Sequence, residues 1–249
     1  GGEGVGGFPE LSLEVRRKGR EGTEVRKFDA ILVATGRTPS TKGMGLEAAG
    51  IECDKDGIIV NDNLRTSNRN VYAAGDVCSG KHRFTHAAGA MGKMIVRNAL
   101  FFGNEKYSKL VMPWCTYTDP EIAHVGMYAR DFEAQGIEYS VYEKNFEDLD
   151  RAICEGEQGI VRVITKKGSK KIAGVSVVSN RAGELISEAT VAMASSVGLD
   201  KLSNVIHPYP THAEAIVAVG SKASLPALEG KGTKMLLGWI IWLRGVLTR

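Results

Sequence analysis

Two apolar runs that end on glycine offer the first chemistry in this sequence. Ala30-Ile31-Leu32-Val33-Ala34 stops at Thr35-Gly36-Arg37, and Val71-Tyr72-Ala73-Ala74 stops at Gly75-Asp76. A glycine at a strand end lets the backbone approach a ligand closely. An acid directly after such a strand, at the carboxyl edge of a sheet, is placed to accept hydrogen bonds from ribose or ribityl hydroxyls. Taken alone, Gly75-Asp76 reads equally well as a turn. Gly2-Glu3-Gly4-Val5-Gly6-Gly7 also satisfies the spacing G-x-G-x-x-G. That motif works only between a strand and a helix, where the helix amides face a pyrophosphate. Nothing precedes it here and an alternating strand pattern follows, so it is rejected as a dinucleotide site. Cys53, Cys78, Cys115 and Cys154 are each more than 20 residues from the next, with no C-x-x-C and no short Cys/His zinc pattern. No metal-ligating set is therefore expected. Reduced thiols in an intracellular protein, of the cytoplasm or an organelle and not secreted, are the expectation.

These groups need elements to hold them. Leu11–Val15 alternates apolar and polar residues and predicts a strand, and residues 23–27 predict a second after the polar turn Lys18-Gly19-Arg20-Glu21-Gly22. The continuous run 30–34 predicts a strand buried on both faces. Residues 58–60 and 71–74 predict two more. From Thr85 to about Phe102 small and apolar residues recur at helical spacing, closed by Gly103. After Pro113 the pattern changes. Residues 111–126 read as strand, turn, strand, and 128–135 as a short helix. Strands follow at 139–144, 159–165 and 172–178, the last two joined by the turn Lys166-Lys167-Gly168-Ser169. Residues 182–197 predict a strong helix with Leu185, Ile186, Ala189, Ala192 and Met193 on one face. A shorter helix, about 211–220, follows His207-Pro208-Tyr209-Pro210, with Thr211 and Glu214 at capping-box spacing. The chain thus divides near residue 110 into an α/β piece and a compact α+β domain.

Composition bounds the function classes. The 249 residues carry 32 basic and 29 acidic side chains, a net charge of +3, which gives no reason to expect nucleic-acid binding. The apolar run Met235–Leu243, flanked by Lys231, Lys234, Arg244 and Arg249, is too short to span a bilayer. Two readings stand for it: packing on the protein or on a partner subunit, or weak contact with a membrane interface.

The series Ala34-Thr35-Gly36-Arg37-Thr38-Pro39, Gly57-Ile58-Ile59-Val60, Leu64-Arg65-Thr66-Ser67 and Val71-Tyr72-Ala73-Ala74-Gly75-Asp76-Val77 is far more specific than any one of its parts. It closely resembles the flavin-domain segments of the pyridine nucleotide-disulfide oxidoreductases, the family of dihydrolipoamide dehydrogenase, glutathione reductase and mercuric reductase. Met112-Pro113-Trp114 through His124-Val125-Gly126 resembles the opening of that family's dimerisation domain, and Gly174-Val175 through Ile186 its central strand and helix. The resemblance covers residues from about 11 to 225. It implies an α/β remnant of the NAD(P)- and FAD-binding domains followed by an α+β dimerisation domain. Its parts would be the end of the NAD(P)-binding domain (1–37), the C-terminal part of the FAD-binding domain (38–110), the dimerisation domain (111–230) and an apolar, basic tail (231–249).

The resemblance also assigns roles. Asp76, after Gly75, would bind the ribityl chain of FAD, and the backbone at Thr85-His86-Ala87 would contact the flavin ring, with Gly36 at the other strand end. In the family the active-site base comes from the partner subunit of a homodimer, through a His-Pro-Thr motif with Glu five residues after the His. Here Pro210-Thr211 and Glu214 match, but Tyr209 stands before the proline, with His207 two residues upstream and His212 three downstream. A phenol with a pKa of about 10 is a poor base at neutral pH, although it donates hydrogen bonds well. Tyr at this place is a mercuric-reductase feature, whereas the tail lacks the vicinal cysteines of those enzymes. His207 could supply the base from a displaced position. The family's redox disulfide and both Gly-rich fingerprints are not found, so the sequence reads as the C-terminal part of a longer FAD- and NAD(P)H-dependent enzyme. Both cofactor sites would be incomplete in it, and its substrate would be a disulfide or a metal ion. A lipoamide-dehydrogenase-like enzyme and a non-catalytic dimerisation fragment are the alternatives.

Overall fold

Alternation along the strands and a helical stripe of small residues build the larger of two hydrophobic cores. The computed structural model describes residues 11–19 and 21–247, with side chains left aside at 226–229, 231, 246 and 247. The glycine motif of residues 2–7 lies outside the described residues. Two short antiparallel pairs come first: β1 (Leu11–Val15) with β2 (Glu24–Phe28), and β3 (Cys53–Asp54) with β4 (Gly57–Ile58). Helix α1 (Thr85–Leu100) follows a 3-10 turn at Gly75–Val77. Then come β5 (Pro113–Thr116), β6 (Glu121–Gly126), α2 (Ala129–Ala134), β7 (Tyr139–Asn145), α3 (Asp150–Glu155), β8 (Ile160–Lys166) and β9 (Ile172–Ser179). Helices α4 (Ala182–Ala194), α5 (Leu199–Leu202), α6 (Glu214–Glu229) and α7 (Lys231–Leu247) complete the chain.

The five strands β5 to β9 form one antiparallel sheet in the order β5-β6-β9-β8-β7. Its register places Ala123, Val177 and Val161 in one row and Val125, Val175 and Val163 in the next, all buried. Helix α4 packs on β5, β6 and β9, and α6 on β7 and β8. Ala182, Ile186, Ala189 and Ala192 bring α4 into this core, as the stripe requires, with Leu185 and Met193 packed at its margin. A second, smaller core gathers Ile51, Ile58, Leu64, Ala73, Cys78, Met91 and Met94 around α1.

The structure departs from several of the expected elements. Residues 30–34 form no strand, and Leu32 and Val33 are 91% and 76% exposed. A strand buried on both faces needs neighbours, and among the described residues β1 and β2 pair only with each other. Residues 71–74 contribute a single bridge, Arg65 with Tyr72, in place of a strand. Helix α6 begins at Glu214, not Thr211, and runs on to Glu229. Glu214 Oε2 does accept the Thr211 amide at 3.0 Å, but the Thr211 hydroxyl turns back to the Pro208 carbonyl, so only half of the capping box forms. The tail forms a helix, α7, with Met235, Trp239, Ile241 and Trp242 all more than half exposed. Among the described residues no helix is long and apolar enough to cross a membrane.

Candidate functional site

The first group of expected site residues sits where the 3-10 turn meets α1. Gly75 adopts φ +79°, and a Cβ added there would stand 3.2 Å from the Ala88 methyl. Only a bare Cα suits this close, left-handed position. The Gly75 amide donates to Met91 Sδ at 3.2 Å, which ties the turn to the helix. Asp76 lies beside a cavity of about 280 Å³ lined by Arg37, Thr38, Ser40, Asp76 and Arg83. Its Oδ2 is 3.1 Å from Arg37 Nη1, and Arg83 fixes that edge by donating to the Arg37 and Asp56 carbonyls at 2.9 and 3.0 Å. Gly36, with φ +117°, has open space where a side chain would begin.

Helix α1 opens at Thr85 without a side-chain cap. Among the described hydrogen bonds the amides of Thr85, His86 and Ala87 have no acceptor, which leaves the positive end of the helix free to face partial negative charge. Ala87 is fully buried. His86 turns elsewhere: its Nε2 meets the Pro113 carbonyl at 2.8 Å and its ring stacks on Phe84, so it joins α1 to β5. Beside this joint runs an apolar cleft of about 350 Å³ lined by His86, Met112, Trp114, Tyr117, Gly183 and Ile186. In the core around α1, burial pushes the Cys78 thiol up to about 11, which makes it an inert core residue.

The second group lies on the loop before α6. His207 is held at both nitrogens: Nδ1 meets the Val205 carbonyl and Nε2 meets Glu188 Oε1 on α4, each at 2.9 Å. Burial works against its charged form, but these two bonds outweigh it and hold the imidazole above its ordinary value. Glu188 was not anticipated, because it sits mid-helix among ordinary surface positions. Among the described hydrogen bonds none joins Glu214 to His207; Glu214 serves the Thr211 amide. Tyr209, 68% exposed, donates its hydroxyl to Asp150 at the start of α3. That bond to a carboxylate holds the phenol above its usual value, so it stays protonated and keeps its donor character. No hydrogen bond or ion pair among the described residues links this loop to Asp76 or α1.

The loop brings a further cluster together. His212, 4% exposed, lies against Glu157 and Glu155, with Nε2 at 2.8 Å and 3.3 Å from one oxygen of each. These three were not expected as a set, since the acids flank the end of α3 and the histidine comes from a distant loop.

Comparison with known proteins agrees with this architecture. Residues 112–219 match the pyridine nucleotide-disulphide oxidoreductase dimerisation domain, and residues 4–92 match the pyridine nucleotide-disulphide oxidoreductase domain. A mercuric reductase from Staphylococcus aureus is 32% identical over 207 residues, covering 82% of this chain and 37% of that protein. The mitochondrial dihydrolipoyl dehydrogenase of Pisum sativum is 36% identical over 218 residues, covering 86% of this chain and 42% of its own. The crystal structure of LpdA from Mycobacterium tuberculosis superposes with a TM-score of 0.76 at 24% identity, over 81% of this chain and 44% of that one. The chain belongs to the pyridine nucleotide-disulfide oxidoreductase family and has its fold: part of the nucleotide-binding domains followed by the dimerisation domain. It spans less than half the length of these relatives.

Proposed function

We propose that the complete protein is a homodimeric, FAD-dependent NAD(P)H oxidoreductase that reduces a disulfide or metal-ion substrate, nearer to the mercuric reductases than to the lipoamide dehydrogenases. The observation that carries this reading is Tyr209, an exposed phenol tied to Asp150 at the place where a lipoamide-type enzyme would have its base. The match to a dimerisation domain supports the homodimer. The division at about residue 110, between 38–110 and 111–230, is supported by the break between the two hydrophobic cores, and 1–37 would be the end of the NAD(P)-binding domain. Four free cysteines fit a reducing compartment.

The residues present fit one edge of a flavin nucleotide: a glycine whose bare Cα leaves room, an acid beside a cavity, and unpaired helix amides. When bound, FAD would supply the hydride and electron chemistry. Asp76 would accept hydrogen bonds from the ribityl hydroxyls once its Arg37 contact gives way. The Thr85–Ala87 amides would face partial negative charge at the ring edge, while His86 keeps α1 fixed to β5. On the loop, His207, oriented by Glu188, is the group able to take and return a proton near neutral pH. Tyr209 would offer its hydroxyl to a developing anion on the substrate, and Glu214 would hold the loop through the Thr211 amide.

Gel filtration of the purified chain after addition of FAD, with visible absorption and native mass, tests the reading. The expected result is a dimeric mass and weak flavin binding that Asp76→Ala weakens about tenfold, the worth of one or two hydrogen bonds to a charged acceptor. A monomer, or a flavin affinity indifferent to Asp76, would overturn it.

A further inference from the structure

We propose that Glu155, Glu157 and His212 form a binding site for a divalent first-row metal ion of the Zn(II) class, which ties the Tyr209 loop to α3. The three donor atoms all lie within 4.8 Å of one another. His212 is 4% exposed and the Glu157 side chain 1%. Their facing atoms, His212 Nε2 and Glu157 Oε2, are 2.8 Å apart, yet neither is aligned for a hydrogen bond with any partner. Neither buried atom has a hydrogen-bond partner, and a cation bound between them would satisfy both. An unmet pair of this kind is costly unless something satisfies it.

The distances suit an ion there. Two donors each about 2.1 Å from one metal lie about 3.0 Å apart at a right angle and about 3.4 Å apart at the tetrahedral angle. From His212 Nε2, the 3.3 Å to Glu155 is close to the tetrahedral edge, and the 2.8 Å to Glu157 lies just under the right-angle edge.

The surroundings are built as a supporting layer. Glu157 Oε1 accepts the Asn180 amide at 2.6 Å, which leaves Oε2 for the site. Glu155 Oε1 accepts Arg151 Nε at 2.7 Å and Arg181 Nη2 at 3.3 Å, which leaves its Oε2 turned to His212. The His212 ring stacks on buried Phe146 with centroids 5.7 Å apart. Each carboxylate thus has one oxygen anchored outward and one aimed inward, the arrangement that orients metal ligands. One imidazole and two carboxylates suit borderline ions, with remaining positions open to water. The site would join α3, the turn after it and the loop before α6, three residues beyond Tyr209.

The chain is stripped of metal with a chelator and then titrated with Zn(II) and with Co(II). The expected result is about one ion retained per chain after gel filtration, a raised Tm, and a visible Co(II) spectrum without thiolate bands. Glu157→Gln should weaken Zn(II) binding at least tenfold. Should that buried change disturb folding, the outer Glu155→Gln should weaken it while leaving the circular dichroism spectrum unchanged. Failure of Zn(II) and Co(II) to bind or to shift Tm would overturn the proposal and leave His212 as an ion-paired imidazole. Binding that persists in both variants, or Co(II)–thiolate bands from the four cysteines, would overturn it equally.

Discussion

His207 shows how much a single side chain can gain from two well-placed acceptors. The Val205 carbonyl and the Glu188 carboxylate favour its protonated form over the unfolded chain's. A histidine with a raised folded pKa contributes stability that is fully present below its ordinary pKa and lost as pH rises through the raised value. The Tm difference between wild type and His207→Gln should therefore be greatest below about pH 6.5 and shrink as pH rises above it. A difference independent of pH would mean the ring acts only by packing. At this scale the sequence singles out residues that carry a distinctive constraint, as Gly75 does with its left-handed backbone. It was silent on Glu188, Glu155 and Glu157. A glutamate's partner is decided by tertiary packing, and the chain around each of them looks like any solvated surface.

Elements were legible in proportion to how much of their stabilisation is local. The stripe on α4 foretold both the element and its buried face, because the same residues that set the period also form the core, and β8 and β9 were legible as strands. The short helices α3 and α5 were missed, whereas α2, as short as α3, was legible. The run 30–34 was read as a strand and is not one, because a parallel-type strand is made by its neighbours. The turn into α1 is governed by one backbone angle. Gly75→Ala forces a side chain into φ +79° against the Ala88 methyl and should cost about 1–2 kcal/mol, read as a lowered urea midpoint with an unchanged m-value. Unchanged stability would mean that the turn relaxes to another conformation.

At the scale of the whole molecule two cores divide the work, one around α1 and one between the five-stranded sheet and its helices. His86 links them through the Pro113 carbonyl, across the apolar cleft. Family and domain order were legible because several motifs occur in one sequence order, and chance does not reproduce such a series. The placement of α7 was not, for its apolar residues surround the helix and select no face. The bare segment Ala30–Ala34 has a practical consequence for anyone handling the protein. It is uncharged, lacks proline and is rich in β-branched and aliphatic residues, and its two central side chains are open to water. Such a segment nucleates intermolecular strands and sets the solubility of a preparation. Light scattering on concentrating the chain should rise steeply, and Leu32→Lys with Val33→Glu should suppress that rise without moving Tm. If the double variant precipitates at the same concentration, insolubility arises elsewhere, and the apolar shell of α7 becomes the segment to change.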